Sequence, residues 1–168
     1  MRLMLMRHGE ATHSAPSDAE RPLTMAGAMR SLQTGRWMAR TGIGPDVILH
    51  SPLVRARQTA EQLAEGLGAS LAVDAERRWL GLSLDEDILL KTAQDHARTS
   101  SSSEPSLLVV GHQPQISEVA GRLVKGGSMI FDPGTIACIQ FSKSIAVKKG
   151  RLEWLLSPYF FSDARNVN

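Results

Sequence analysis

Three short apolar runs, each ending in groups that can hold a phosphate, limit the folds open to this chain more than any other feature. The first is Leu3-Met4-Leu5-Met6, which stops at Arg7-His8-Gly9. The second is Asp46-Val47-Ile48-Leu49, followed by His50-Ser51-Pro52 and, in the next turn, Arg55. The third is Leu107-Leu108-Val109-Val110, which runs into Gly111-His112-Gln113-Pro114. Runs of this length read as strands buried on both faces, as in a parallel sheet covered by helices. Ligands of such sheets sit beyond the carboxyl ends of the strands. If the three strands are parallel, Arg7, His8, Arg55 and His112 meet at one edge.

The stretches between the runs supply the helices this arrangement needs. Residues 10–23 are small, polar and proline-bearing, which predicts a loop. Thr24 can cap a helix over 25–41, with Met25, Ala28, Met29, Leu32, Trp37 and Met38 as its apolar stripe. Gly42-Ile43-Gly44-Pro45 ends that helix. A second helix is expected to start at Pro52 with Ser51 as its cap and to run to about Leu67. Arg55 then lies in the first turn at the sheet edge, while Arg57 points elsewhere. Residues 70–73 suggest a further strand, 84–98 a helix beginning at the acidic Asp85-Glu86-Asp87, and 99–105 a serine-rich surface linker. A helix follows His112 to about Val124, and strands at 135–142 and 151–157 form a hairpin that adds an antiparallel strand. No role is assigned to the tail beyond Pro158, and no internal repeat is visible.

Bulk properties narrow the class. A chain of 168 residues fits a single domain over 1–168 with a sizeable core. Its 42% hydrophobic and 21% charged content is that of an ordinary globular protein. A net charge of +2 gives no reason to expect nucleic acid or a membrane as partner. One cysteine, Cys138, excludes an internal disulfide and an all-cysteine metal site. The N-terminal apolar run is too short for a signal peptide, and no run nears the roughly 18 residues of a membrane span. A cytoplasmic monomer with no cofactor or metal is expected.

Two guanidiniums and two imidazoles suit phosphoryl chemistry. A guanidinium matches phosphate oxygens with a planar fork and stays charged. An attacking imidazole must be neutral, and neighbouring arginines push its pKa in that direction. Its other nitrogen needs a partner, a backbone carbonyl by preference, to set the tautomer. Competing motifs fail. His8 and His13 are five apart and cannot form H-E-x-x-H. Residues 121–126 imitate part of a P-loop, but Gly127 stands where lysine is required. Cys138 lies mid-strand, and no G-x-S-x-G occurs. His13, His50 and His96 are expected to be structural or on the surface.

Taken together, these motifs resemble the histidine phosphatase superfamily, the phosphoglycerate-mutase-like fold. Its Arg-His-Gly is matched by Arg7-His8-Gly9, its Ser-x-x-x-Arg-Ala-x-Gln-Thr by Ser51 to Thr59, and its late Gly-His by Gly111-His112. The short chain and the Arg21-Pro22-Leu23-Thr24 segment look most like the bacterial SixA-type phosphohistidine phosphatases, over residues 1–158. The resemblance implies a three-layer α/β/α sandwich on a mainly parallel mixed sheet with one antiparallel strand. It implies His8 as a nucleophile that forms a phosphohistidine intermediate. Arg7, Arg55 and His112 would bind the phosphoryl oxygens, with Arg21 at the pocket rim.

The chain departs from larger members at one point: the glutamate that protonates their leaving group has no clear counterpart. Glu10 and Glu76 are the candidates. An imidazole leaves more easily than an alkoxide, so a missing acid favours phosphohistidine over sugar phosphates. The expected substrate is therefore a phosphohistidine-bearing phosphotransfer or signalling protein. A small-molecule phosphomonoesterase and a phosphoprotein-binding module without turnover remain alternatives.

Overall fold

The computed structural model describes residues 1–68, 72–76, 80–81, 84–127 and 129–161. Its strands are β1 (Arg2–Arg7), β2 (Val47–His50), β3 (Ala72–Glu76), β4 (Ser106–Gly111), β5 (Ile136–Gln140) and β6 (Arg151–Leu156). They form one sheet in the order β3-β2-β4-β1-β5-β6. The four strands from β3 to β1 pair in parallel, while β5 runs against both β1 and β6. The helices are α1 (Met25–Thr41), α2 (Val54–Leu67), α3 (Glu86–Thr99) and α4 (Gln115–Leu123). The expected mixed sheet with a single reversed strand is the one observed. Of the strand expected at 70–73, residues 70 and 71 lie outside the described residues, and β3 carries the pairing from Ala72 onward.

Period-two alternation sorts the strand residues into two cores, and this makes the fold three-layered. Leu3, Leu5, Leu107 and Val109 face one side, against Leu89 and Ala93 of α3 and Ile116, Val119 and Leu123 of α4. Met4, Met6, Leu108 and Val110 face the other, against Met38 of α1 and Ala56, Ala60 and Leu63 of α2. Central strands with both faces covered need unbroken apolar runs, as this sequence provides.

Two helices, α1 and α3, are capped by side chains. Thr24 accepts from the Gly27 N–H at 3.0 Å, and Asp85 accepts from the N–H groups of Asp87 and Ile88. Two expectations need correction. The stripe of α1 is only partly its large apolar set: Met38 is buried and Trp37 packs against the same core, but Met25 is 82% and Met29 42% exposed. Its buried face is Gly27, Ser31, Thr34, Gly35 and Met38. There α1 presses on α2 so closely that a Cβ at Gly35 would stand 2.2 Å from Leu63 O, and one at Gly66 2.2 Å from Leu32 O. Small residues, not large ones, make that contact, which a hydrophobic stripe does not reveal. The second correction concerns α2, which begins at Val54 behind Leu53, leaving Pro52 and Ser51 in the preceding turn. Ser51 is therefore not a helix cap, and its hydroxyl turns to His112.

Candidate active site

Sheet register carries the site. Arg7 lies opposite Gly111, and His50 opposite Val110. The ladder continues past the strand ends, with His8 N–H donating to Gly111 O and Ser51 N–H to Val110 O, both at 3.0 Å. The tips of β1, β2 and β4 thus stop at one level. From the β5 side, the Gly134 N–H donates to both Arg7 O (3.2 Å) and His8 O (3.0 Å). Gly134 holds φ at +88°, where a side chain would be strained and would crowd Pro158. Across the other flank, Gly9 N–H donates to Thr59 Oγ1 at 2.9 Å, and that hydroxyl donates to Arg55 O at 2.6 Å.

The structure brings His8, Arg7, Arg55 and His112 together. His8 Nδ1 lies 2.7 Å from Gly9 O, an acceptor only, so Nδ1 carries the proton. Nε2 keeps its lone pair and accepts from Arg55 Nε at 3.2 Å. Burial pushes the His8 pKa from 6.5 down to about 3, with smaller contributions from His112, Arg55 and Arg7. The ring is neutral at ordinary pH, as an attacking imidazole must be. Desolvation, more than the guanidiniums expected from sequence, keeps it so.

His112 is 3% exposed, and its ring centroid is 5.1 Å from that of His8. Its Nε2 pairs with Ser51 Oγ at 2.7 Å. Burial, followed by Arg55, lowers its pKa to about 4. Arg7 donates through Nη1 to Phe131 O at 2.8 Å, and burial lowers its pKa. Arg7 Nε and His112 Nδ1 are buried yet meet no hydrogen-bond partner among the described residues. An unmet buried polar nitrogen is costly, and two of them beside a neutral imidazole suit an incoming oxyanion. The arrangement is that of a cationic cup with an unprotonated imidazole nitrogen at its floor.

Comparison with known proteins decides the lineage. Residues 3–87 match the model of the histidine phosphatase superfamily, branch 1. Phosphohistidine phosphatase SixA of Escherichia coli K12 is 30% identical, covering 94% of each chain. The chain belongs to the histidine phosphatase superfamily. A solved structure of the protein histidine phosphatase SixA complexed with tungstate superposes with a TM-score of 0.81 at 28% identity, over 94% of this chain and 97% of that one. A protein named as a probable phosphoglycerate mutase, GpmB of Citrobacter koseri, is 32% identical over 77% of this chain but is spanned for only 56% of its own length.

The structure gives each position of this superfamily's second motif a physical role. Arg55 reaches His8, Ala56 packs fully buried on the sheet, Gln58 Oε1 accepts from Leu23 N–H at 2.8 Å, and Thr59 holds Gly9. Arg57 points away and pairs with Glu61.

At the rim, Arg21 donates from Nε to Thr12 O at 2.6 Å and from Nη1 to Asp18 Oδ1 at 3.0 Å. Sequence reasoning misses Asp18, yet it joins Arg21 to the site. Its carbonyl accepts from Arg55 Nη1 at 2.6 Å and its Oδ2 from Arg55 Nη2 at 3.0 Å. Both arginines hold its carboxyl below the ordinary range, Arg21 most. Its only signal in the chain is its position three residues before Arg21, in a loop of unremarkable composition.

Glu10 is taken by Arg30 at 3.0 Å, and Glu76 ends β3 in register with His50. His50 and His96 have structural contacts, with Ser51 O at 2.8 Å and with Asp46 at 3.3 Å. Burial, followed by Glu153, pushes the Cys138 thiol up to about 12, so it is no nucleophile. Among the described residues no group of three His, Cys, Asp or Glu side chains could hold a metal ion, and no helix is long and apolar enough to cross a membrane. The tail's Pro158–Phe161 turn packs beside α1, with the Arg30 guanidinium 4.7 Å above the Tyr159 ring.

Proposed function

We propose that this protein is a phosphatase that removes the phosphoryl group from phosphohistidine on a phosphotransfer or signalling protein. The observation that carries this is His8 itself: a neutral imidazole that donates its Nδ1 proton to Gly9 O and holds its Nε2 lone pair beside a guanidinium. In the first step Nε2 attacks phosphorus, the P–Nε2 bond forms, and the P–N bond of the substrate breaks. The substrate imidazole departs neutral if its far nitrogen already bears a proton. Arg7 Nε, Arg55 and His112 Nδ1 supply donors for the oxygens as charge shifts among them.

The Gly9 contact also serves the second step. Phosphorylated on Nε2 and protonated on Nδ1, the His8 ring is cationic, so it leaves as neutral imidazole when water attacks phosphorus. One and the same hydrogen bond makes His8 a nucleophile and then a leaving group.

Two features favour a protein substrate over a sugar phosphate. The candidate acid Glu10 faces Arg30 at 3.0 Å, and no hydrogen bond among the described residues ties it to His8 or His112. The chain also spans SixA almost end to end but little more than half of the mutase GpmB. A chain matched to SixA over its length and not to the longer mutase favours a residue on a protein surface as substrate.

The test is phosphate release from a phosphohistidine-bearing phosphotransfer domain, with chelator present, by wild type and His8→Ala. Release by wild type alone supports the proposal. Binding by both without release would make the protein a recognition module. Equal release by both would remove His8 from the mechanism. Faster turnover of sugar phosphates than of the phosphorylated domain would redirect the substrate.

A further inference from the structure

The chemistry proposed above leaves one buried group without a role, the Ser51 hydroxyl, fully inaccessible at the tip of β2. It does not cap α2, since that helix begins at Val54. Its oxygen has two neighbours among the described hydrogen bonds. Leu53 N–H donates to it at 3.3 Å, and His112 Nε2 lies 2.7 Å away.

The second contact has two possible polarities. If Nε2–H donated to Ser51, the oxygen would receive two donors, and its own proton would have no acceptor among the described residues. His112 Nδ1 would then present a lone pair within a cup built for an anion. If Ser51 donates instead, its oxygen accepts from Leu53 and its proton is used. His112 Nδ1, buried and without a partner among the described residues, then bears a hydrogen. Only the second polarity uses the serine proton and offers the phosphoryl oxygens a donor.

We infer that Ser51 is a positioning residue: it donates its hydroxyl proton to His112 Nε2 and so fixes His112 as the tautomer protonated on Nδ1, facing the phosphoryl group. The ring is neutral at ordinary pH because burial holds its pKa at about 4, so a single proton must be placed, and its placement matters. A wrongly placed proton turns a donor into a repulsive lone pair, which is how loss of an orienting partner disables a histidine. Ser51 and Arg55 lie four residues apart, so one short turn delivers both a phosphoryl-binding guanidinium and the group that orients the facing imidazole.

The inference rests on the phosphoryl-transfer proposal for what His112 faces, but the tautomer is read without turnover. Nitrogen-15 spectra of the full chain labelled at histidine, with His112 assigned by its loss in His112→Gln, distinguish the two ring nitrogens directly. The wild type should show a protonated Nδ1 and an unprotonated Nε2 at His112. The reverse assignment would overturn the inference, whatever the protein hydrolyses. In Ser51→Ala the His112 proton should move to Nε2 in a substantial fraction of molecules. The kcat on phosphohistidine should fall roughly tenfold to a hundredfold with a smaller change in KM. An unchanged tautomer in Ser51→Ala would also overturn it. Should that variant fail to fold, the wild-type spectrum alone decides.

Discussion

The floor of the cup and its rim are built differently. The floor consists of Arg7, His8, His112 and Ser51 at strand ends that the sheet register holds level, with Arg55 reaching in from the first turn of α2. His112, Ser51 and Arg55 are each no more than 4% exposed. The rim is Asp18 and Arg21, carried by the loop between β1 and α1. Asp18 has a side chain 55% exposed and is held chiefly by the two arginines themselves. Low dielectric and fixed geometry make the floor's electrostatics strong, whereas those at the rim are screened by water. The floor should therefore set the rate, and the rim the affinity.

That division yields graded expectations. His8→Ala should lower turnover about a thousandfold or more and abolish the acid-labile phosphoenzyme seen when labelled substrate is quenched rapidly. Retention of the phosphoenzyme would mean that the floor lies elsewhere. Arg55→Ala removes the donor beside His8 Nε2 and should cost about a hundredfold to a thousandfold in kcat. Arg55→Lys should restore little of this in the same assay, because an ammonium lacks the fork that reaches both His8 and Asp18.

The floor's histidines should also appear in acid stability. Their folded pKa values, about 3 for His8 and about 4 for His112, lie below the usual 6.5. Between those values and 6.5 the unfolded chain binds protons that the folded chain refuses, so stability falls as pH drops through that window. Thermal midpoints should decline from about pH 6.5 towards about 4, and the slope should flatten in His8→Asn. An equally steep slope in the variant would deny that His8 is buried and neutral.

Rim changes should be smaller. Asp18→Asn leaves the carbonyl contact to Arg55 but removes the carboxylate charge that competes with a phosphoryl group. Inorganic phosphate or tungstate should then inhibit several-fold more tightly, with kcat nearly unchanged. A large loss of kcat instead would make Asp18 part of the floor. Arg21→Ala should raise KM roughly two- to fivefold and spare kcat. Steady-state kinetics on the phosphorylated domain would show a rate defect if floor and rim were one unit.

The same division explains what can be read from the chain. Arg7, His8, Arg55 and His112 are legible because each follows an apolar run whose strand must end where its hydrophobicity ends. The small-residue face of α1 is not, because Gly35 and Gly66 contribute closeness instead of hydrophobic area. Asp18 is hidden as well, since nothing in a polar loop shows which carboxylate will fold back on an arginine 37 positions away.

Local sequence determined the strands, their polar tips and the residue types a phosphoryl group requires, because periodicity and chain termination of strands are short-range properties. The tertiary structure alone decided which nitrogen of each imidazole bears the proton, that burial outweighs the arginines in keeping His8 neutral, and that Ser51 serves His112 and not its own helix. Those are matters of dielectric and of contacts between distant residues, which exist only once β1, β2 and β4 lie side by side.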